Sequence, residues 1–208
     1  MPEASETSPH VRVDIDEGIC TISFNRPRKK NALTVAMYEA IVAGFEAARS
    51  RADVRVILLR GSDGVFTAGN DLADFMQAPP TGPDSPVARL LRSLVACEKP
   101  MVAAVQGVAI GIGVTMLLHC DLVYAGEGAR FQLPFVNLGL CPEAGSSYLL
   151  PRLMGHQRAA ELVLLGEPFS ARVAHECGLV NQVLADEAVI DRAKQIAGIL
   201  AKKPPNAV

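Results

Sequence analysis

Phe66-Thr67-Ala68-Gly69-Asn70-Asp71-Leu72 and Gln106-Gly107-Val108-Ala109-Ile110-Gly111-Ile112-Gly113 are the two stretches on which the reading of this chain turns. In the first, Gly69 permits the positive φ of a sharp bend, and such a bend leaves the next N–H pointing outward. In the second, closely spaced glycines precede the apolar Val114, Met116, Leu117 and Leu118. Glycines at a helix start let the backbone approach a ligand while the first-turn N–H groups remain free. Taken singly, each stretch has an ordinary explanation. Ala-Gly-Asn-Asp is also a turn in which Asp71 caps a short helix through Phe75, and the second stretch is also a glycine packing seam. A dinucleotide loop does not fit, because Met116 stands where the last glycine of G-x-G-x-x-G belongs.

Working outward, the segments before and between these bends read as alternating strands and helices. Val11, Val13 and Ile15 alternate with Arg12, Asp14 and Asp16, the pattern of a half-buried strand. Asp16-Glu17-Gly18 turns the chain into a second strand, Ile19 to Phe24. Asn25 to Asn31 is a loop carrying Arg26, Arg28, Lys29 and Lys30. Thr34 caps a helix whose apolar face is Leu33, Met37, Ile41, Phe45 and Ala48. Val54 to Leu59 and Met101 to Val105 are apolar runs suited to strands covered on both faces. Pro79, Pro80, Gly82, Pro83 and Pro86 mark a loop, and a helix from near Val87 ends before Lys99-Pro100. Asp121 to Ala125 is a third covered strand, and helical patterns dominate after Glu143. This order predicts an α/β fold with parallel elements.

Bulk properties narrow the class. The 208 residues are 50% hydrophobic with a formal charge of −2, enough for one substantial core and no footprint for a nucleic-acid partner. No apolar run reaches the roughly 18 residues of a membrane-spanning helix. Residues 1–10 are acidic and polar, unlike a signal or transit peptide, and are expected to be a disordered tail before a single domain over 11–208. The five cysteines and four histidines show no metal-ligand spacing, so no metal site is expected, and most of the cysteines read as small buried hydrophobes of a reducing compartment. The expected location is the cytoplasm, or an organelle matrix in a eukaryote.

The paired bends, Ala68-Gly69-Asn70-Asp71-Leu72 and Gly107-x-x-x-Gly111-x-Gly113 closed by Cys120-Asp121-Leu122, resemble those of the crotonase (enoyl-CoA hydratase/isomerase) superfamily over roughly residues 11 to 206. The resemblance implies a right-handed spiral of ββα units followed by C-terminal helices. It assigns the N–H groups of Asn70 and Ile112 to an oxyanion hole for an acyl-CoA thioester, with isoleucine standing where many relatives have glycine. Two such donors stabilise the enolate formed when an α-proton leaves. It also places coenzyme A, as part of the substrate rather than a separate cofactor, beside Arg28 and Lys30, with the adenine near Ala68, Asp71 and Leu72. Homotrimers or dimers of trimers are implied, together with further C-terminal helices beyond Val208.

The acids point to the reaction. Hydratases of this superfamily use two glutamates, and Thr115 and Phe135 occupy the matching positions here. Water addition needs both a base and an acid, whereas a double-bond shift needs one base that takes a proton from C2 and returns it at C4. Glu143, in Pro142-Glu143-Ala144-Gly145-Ser146-Ser147-Tyr148-Leu149-Leu150-Pro151-Arg152, resembles the glutamate of peroxisomal-type Δ3,Δ2-enoyl-CoA isomerases. Proline at N1 and glutamate in the first turn are also ordinary helix-start choices. A base working near neutral pH needs a raised pKa, expected here from Phe135, Val136, Leu138 and Leu140. The reading is therefore a 3-enoyl-CoA to trans-2-enoyl-CoA isomerase. The alternatives are another crotonase reaction, hydration or dienoyl isomerisation, and a non-catalytic acyl-CoA-binding module. Ser146 and Ser147 have no readable His-Asp partners and read as helix-start packing.

Overall fold

A hairpin begins the fold. In the computed structural model, which describes residues 8–77 and 82–207, Val11–Asp16 (β1) pairs antiparallel with Ile19–Phe24 (β2). Glu17 and Gly18 between them have φ of 47° and 79°, matching the twist that a two-residue hairpin needs. Residues 1–7 of the expected tail lie outside the described residues; buried Ser8 accepts the Val11 N–H at 3.1 Å and leads into β1.

After a 3₁₀ turn at Pro27–Lys29, helix α1 spans Val35–Ser50. Thr34 caps it, its Oγ1 accepting the Met37 N–H at 3.2 Å, and Met37, Tyr38, Ile41, Phe45 and Ala48 form its buried face. Strand β3 is Val56–Gly61, followed by the short helix α2 (Leu72–Gln77) and by α3 (Pro86–Val95), which Ser85 caps. Residues 78–81 of the proline-rich loop lie outside the described residues. Met101–Val105 (β4) and Val108–Ile110 (β5) flank Gly107, and α4 (Ile112–Thr115) runs into a 3₁₀ turn at Met116–His119. Leu122–Gly126 (β6) and Arg130–Gln132 (β7) follow. The chain then passes through α5 (Ser146–Met154), α6 (His156–Leu165), β8 (Phe169–Ser170), α7 (Ala171–Glu176), β9 (Gln182–Leu184) and α8 (Val189–Ala201).

Two sheets result. The large one has the order β1-β2-β3-β4-β6-β9, all parallel after the first hairpin; the small one is β5-β7-β8. Each turn of the chain adds a strand to the large sheet, crosses to the small sheet, and returns through helix, which gives a spiral. The apolar run of β3 is explained by its two covers. Val56 and Leu58 pack with Val102 and Ala104 against Val189, Ala193 and Ala197 of α8. Ile57 and Leu59 face the main core with Ile22, Ile41 and Phe45.

The α/β class, the first three strands and α1 match the sequence reading. The small sheet does not appear in that reading, because β5 and β7 are three residues each, too short for a two-residue period to register. The same brevity hides β8 and β9 within the expected helical region. What matters for function is where the crossings fall: the segments after β3 and β4 leave the large sheet at the C-terminal ends of adjacent parallel strands, and both carry the glycine bends.

Candidate active site

The two bends are laced together by backbone. Phe66 N–H donates to Gln106 O at 2.8 Å, Thr67 N–H to Val108 O at 2.9 Å, and Ile110 N–H to Thr67 O at 3.1 Å. Gly69, at φ +84°, passes so close that a Cβ there would lie 2.7 Å from the Ile110 carbonyl oxygen. A Cβ on Gly113 would lie 2.7 Å from Thr67 Cγ2, so Gly113 is indeed a packing glycine. Gly111, at φ 57° and ψ −117°, turns the second segment into α4, in a region of backbone space open to glycine.

This lacing decides which N–H groups are used. Leu33 N–H donates to Gly69 O and Asp71 N–H to Leu33 O, both at 2.8 Å; Gly111 N–H donates to Gln132 O at 2.9 Å, and Val114 and Thr115 N–H to Gly111 O. Among the described residues, no acceptor receives the N–H of Asn70 or of Ile112. Ile112 itself is buried, its side chain packed into the core while the first-turn N–H stays unspent.

Glu143 stands beside the second bend because Thr115 is one helical turn from Ile112. The fully buried Thr115 hydroxyl lies 2.8 Å and 3.0 Å from the two carboxylate oxygens of Glu143. The loop that carries Glu143 is fixed on its far side. Ser146 donates both its N–H (3.0 Å) and its hydroxyl (2.5 Å) to the Glu143 carbonyl. Ala144 takes a left-handed φ of 55°, unusual for alanine, and its carbonyl meets His119 Nε2 at 2.9 Å. Burial lifts the Glu143 carboxyl from 4.5 to about 7, against the opposing pull of the Thr115 hydroxyl. Val136, Leu138 and Leu140 do not supply this burial as expected, since they are 45%, 52% and 59% exposed. The 3₁₀ turn at Val136–Leu138 rotates them outward, while Phe135 stays partly buried and lies 3.9 Å from where a Gly111 Cβ would stand.

Tyr38 holds the side chain at the tip of the first bend, and the sequence reading did not single it out. Its hydroxyl donates to Asn70 Oδ1 at 2.6 Å. Burial, then the Glu143 charge, push its phenol well above the ordinary value of 10. The only signal in the sequence is a polar-tipped ring beside Met37 and Ile41 on the buried face of α1.

The basic loop folds against the same bend. Lys30 O accepts the Ala68 N–H at 2.9 Å and Asn31 O accepts the Thr67 hydroxyl at 2.7 Å. Arg26 pairs with Asp71 at 2.6 Å; this pairing first, and the Asp74 N–H second, hold the Asp71 carboxyl below its usual range. Asp71 also accepts from Ala73 and Asp74 N–H at 3.1 Å and 3.2 Å, capping α2 as its ordinary reading requires. Arg28, Lys30 and Leu72 are exposed; the Lys30–Ala68 and Arg26–Asp71 contacts bring Lys30, Ala68 and Asp71 together at the bend, and among the described residues no hydrogen bond or ion pair ties Arg28 to it. A separate cleft of about 330 Å³ between α1 and α3 is lined by Phe45, Ile57, Arg89 and Lys99. It opens at the start of β3 and β4, away from Glu143.

Residues 14–208 match the family described as enoyl-CoA hydratase/isomerase. The chain belongs to that family. Its similarity to human enoyl-CoA delta isomerase 2 is 39% identity over 94% of this chain and 51% of that protein. Its similarity to the 2,3-dehydroadipyl-CoA hydratase of Escherichia coli K12 is 35% identity over 94% of this chain and 77% of that protein. The solved structure of Pseudomonas aeruginosa OdaA superposes with a TM-score of 0.93 at 47% identity, covering 97% of this chain and 82% of that one. The chain thus spans about half the length of the human relative, and the names of its relatives include both an isomerase and a hydratase.

Proposed function

We propose that this crotonase-family chain is an acyl-CoA double-bond isomerase. Glu143 takes a proton from C2 of a 3-enoyl-CoA, the electron pair moves onto the thioester oxygen, and the Asn70 and Ile112 N–H groups hold the resulting enolate. Glu143 then returns the proton at C4, leaving the trans-2-enoyl-CoA with no net proton change. The CoA portion lies along Arg28, Lys30, Ala68, Asp71 and Leu72, where two exposed cations face its phosphates.

One observation carries this reading: Thr115, at one of the two positions where the family resemblance puts a hydratase glutamate, donates its hydroxyl to Glu143. Hydration needs two acid–base groups acting in sequence, and the partner of this carboxylate is a neutral hydroxyl. A carboxyl near 7 is poised to accept and release a proton at neutral pH.

The pH dependence tests it. Isomerisation depends on ionised Glu143, so kcat is expected to rise with pH through about 7 and then level off. A bell-shaped profile with a second, acidic group required in protonated form would indicate two-acid chemistry instead. Thr115→Val sharpens the test. It removes a hydrogen bond to the charged form, so the midpoint moves upward, by about one unit for a bond of this kind; a midpoint that moves down or stays put would remove Thr115 from the account.

A further inference from the structure

We infer that Tyr38 is a positioning residue for the oxyanion hole, acting through the side chain of Asn70 to fix the direction of the Asn70 N–H. This deepens the proposed reading and rests on Asn70 being a donor to the thioester oxygen.

Tyr38 is fully buried in the first turn of α1, and a buried phenol needs a hydrogen-bond partner. Its partner is the side chain of an exposed residue at the tip of the first bend, Asn70, reached at 2.6 Å. The ring is itself immobilised, tilted against Phe75 of α2 with centroids 5.8 Å apart. Asn70 follows Gly69, whose φ of +84° no side chain enforces, so the peptide that carries the Asn70 N–H takes its direction from the hydrogen bonds around it. Leu33 holds that peptide through the peptide's own carbonyl, Gly69 O, and holds the next one through the Asp71 N–H. The Tyr38 hydroxyl supplies the grip on Asn70 itself. Catalysis by such a donor depends on its being aimed before charge develops, and small misplacements cost rate out of proportion to affinity.

The test is a double-mutant cycle of Tyr38→Phe and Asn70→Ala. Phenylalanine keeps the ring against Phe75, and alanine keeps the backbone N–H while removing the side chain. Each single variant is expected to lower kcat about tenfold to a hundredfold, with KM changed less than threefold and the pH midpoint set by Glu143 unmoved. The double variant is expected to be no slower than the worse single one, because each removes the same interaction. Multiplying effects, or a Tyr38→Phe protein with full kcat, would overturn the inference. A readout independent of isomerisation separates it from failure of the proposed function. A 3-oxoacyl-CoA bound by the wild type is expected to show more enolate absorbance at fixed pH than when bound by Tyr38→Phe. Equal enolate fractions would overturn the positioning role whatever reaction the wild type performs. Absence of isomerase turnover with the enolate difference intact would reject the isomerase reading alone.

Discussion

Glu143→Gln is expected to lose about 10²–10⁴ in kcat, the usual contribution of a positioned acid–base group, while its affinity for acyl-CoA esters stays within a few-fold. Glutamine fills the same volume and still offers an oxygen to the Thr115 hydroxyl, so the loop between Val136 and Ser146 has no reason to move. The same substitution should stabilise the protein at alkaline pH. The folded-state pKa of Glu143 is raised, from 4.5 to about 7, so between those values the native state binds more protons than the unfolded chain. Stability therefore falls as pH rises through that window and is flat above it. A shift of this size corresponds to roughly 3 kcal/mol at most. Denaturant midpoints at pH 5 and pH 8 check this: the wild type should be weaker at pH 8, and Glu143→Gln should narrow that gap. A variant that loses turnover and stability together would point to a structural glutamate.

Gly111→Ala tests the other half of the mechanism and is expected to lower kcat about 10²–10³, the cost of losing one oxyanion donor. Space is not the obstacle, since the nearest atom to an added Cβ is Phe135 Cζ at 3.9 Å. The obstacle is the backbone, because φ 57° and ψ −117° cost a side-chain-bearing residue on the order of 1–3 kcal/mol. Relaxing that strain rotates the peptide that follows, and the Ile112 N–H with it. Gly69→Ala differs in kind: its methyl would collide with the Ile110 carbonyl at 2.7 Å and drive the two bends apart. The informative comparison is kcat against thermal midpoint. Gly111→Ala should lose far more rate than its stability change explains, with the pH midpoint of the remaining activity unchanged. A Gly111→Ala protein with wild-type kcat would remove Ile112 from the hole.

These expectations rest on features that differ in how visibly the sequence carries them. The glycine bends were legible because a positive φ at Gly69 and Gly111 can be satisfied by few residue types, so the constraint is written into one position each. The large sheet was legible for a similar reason, since β4 and the Val56–Leu59 part of β3 are buried on both faces and are apolar throughout. Glu143 was visible through its surroundings, Pro142 before it and Ser146-Ser147 after, yet the source of its burial was not. The 3₁₀ turn at Val136–Leu138 turns the neighbouring apolar side chains to the surface, and a sequence neighbour is then a poor guide to a spatial one. Thr115 was readable only as a missing acid. Its bond to Glu143 spans 28 positions and depends on how α4 meets the loop before α5. Tyr38 was hidden more thoroughly, because tyrosine on the buried face of α1 looks the same whether its hydroxyl meets a backbone carbonyl or Asn70.

The most direct measurement is the product formed from a medium-chain 3-enoyl-CoA, separated chromatographically from both the 3-hydroxyacyl-CoA and the starting ester. Conversion to the trans-2-enoyl-CoA without 3-hydroxyacyl-CoA is the predicted result, since the proposed mechanism uses one carboxylate to move a proton between C2 and C4 and calls for no added water. Accumulation of 3-hydroxyacyl-CoA, or recovery of the ester unchanged by a protein that binds it, would contradict the account.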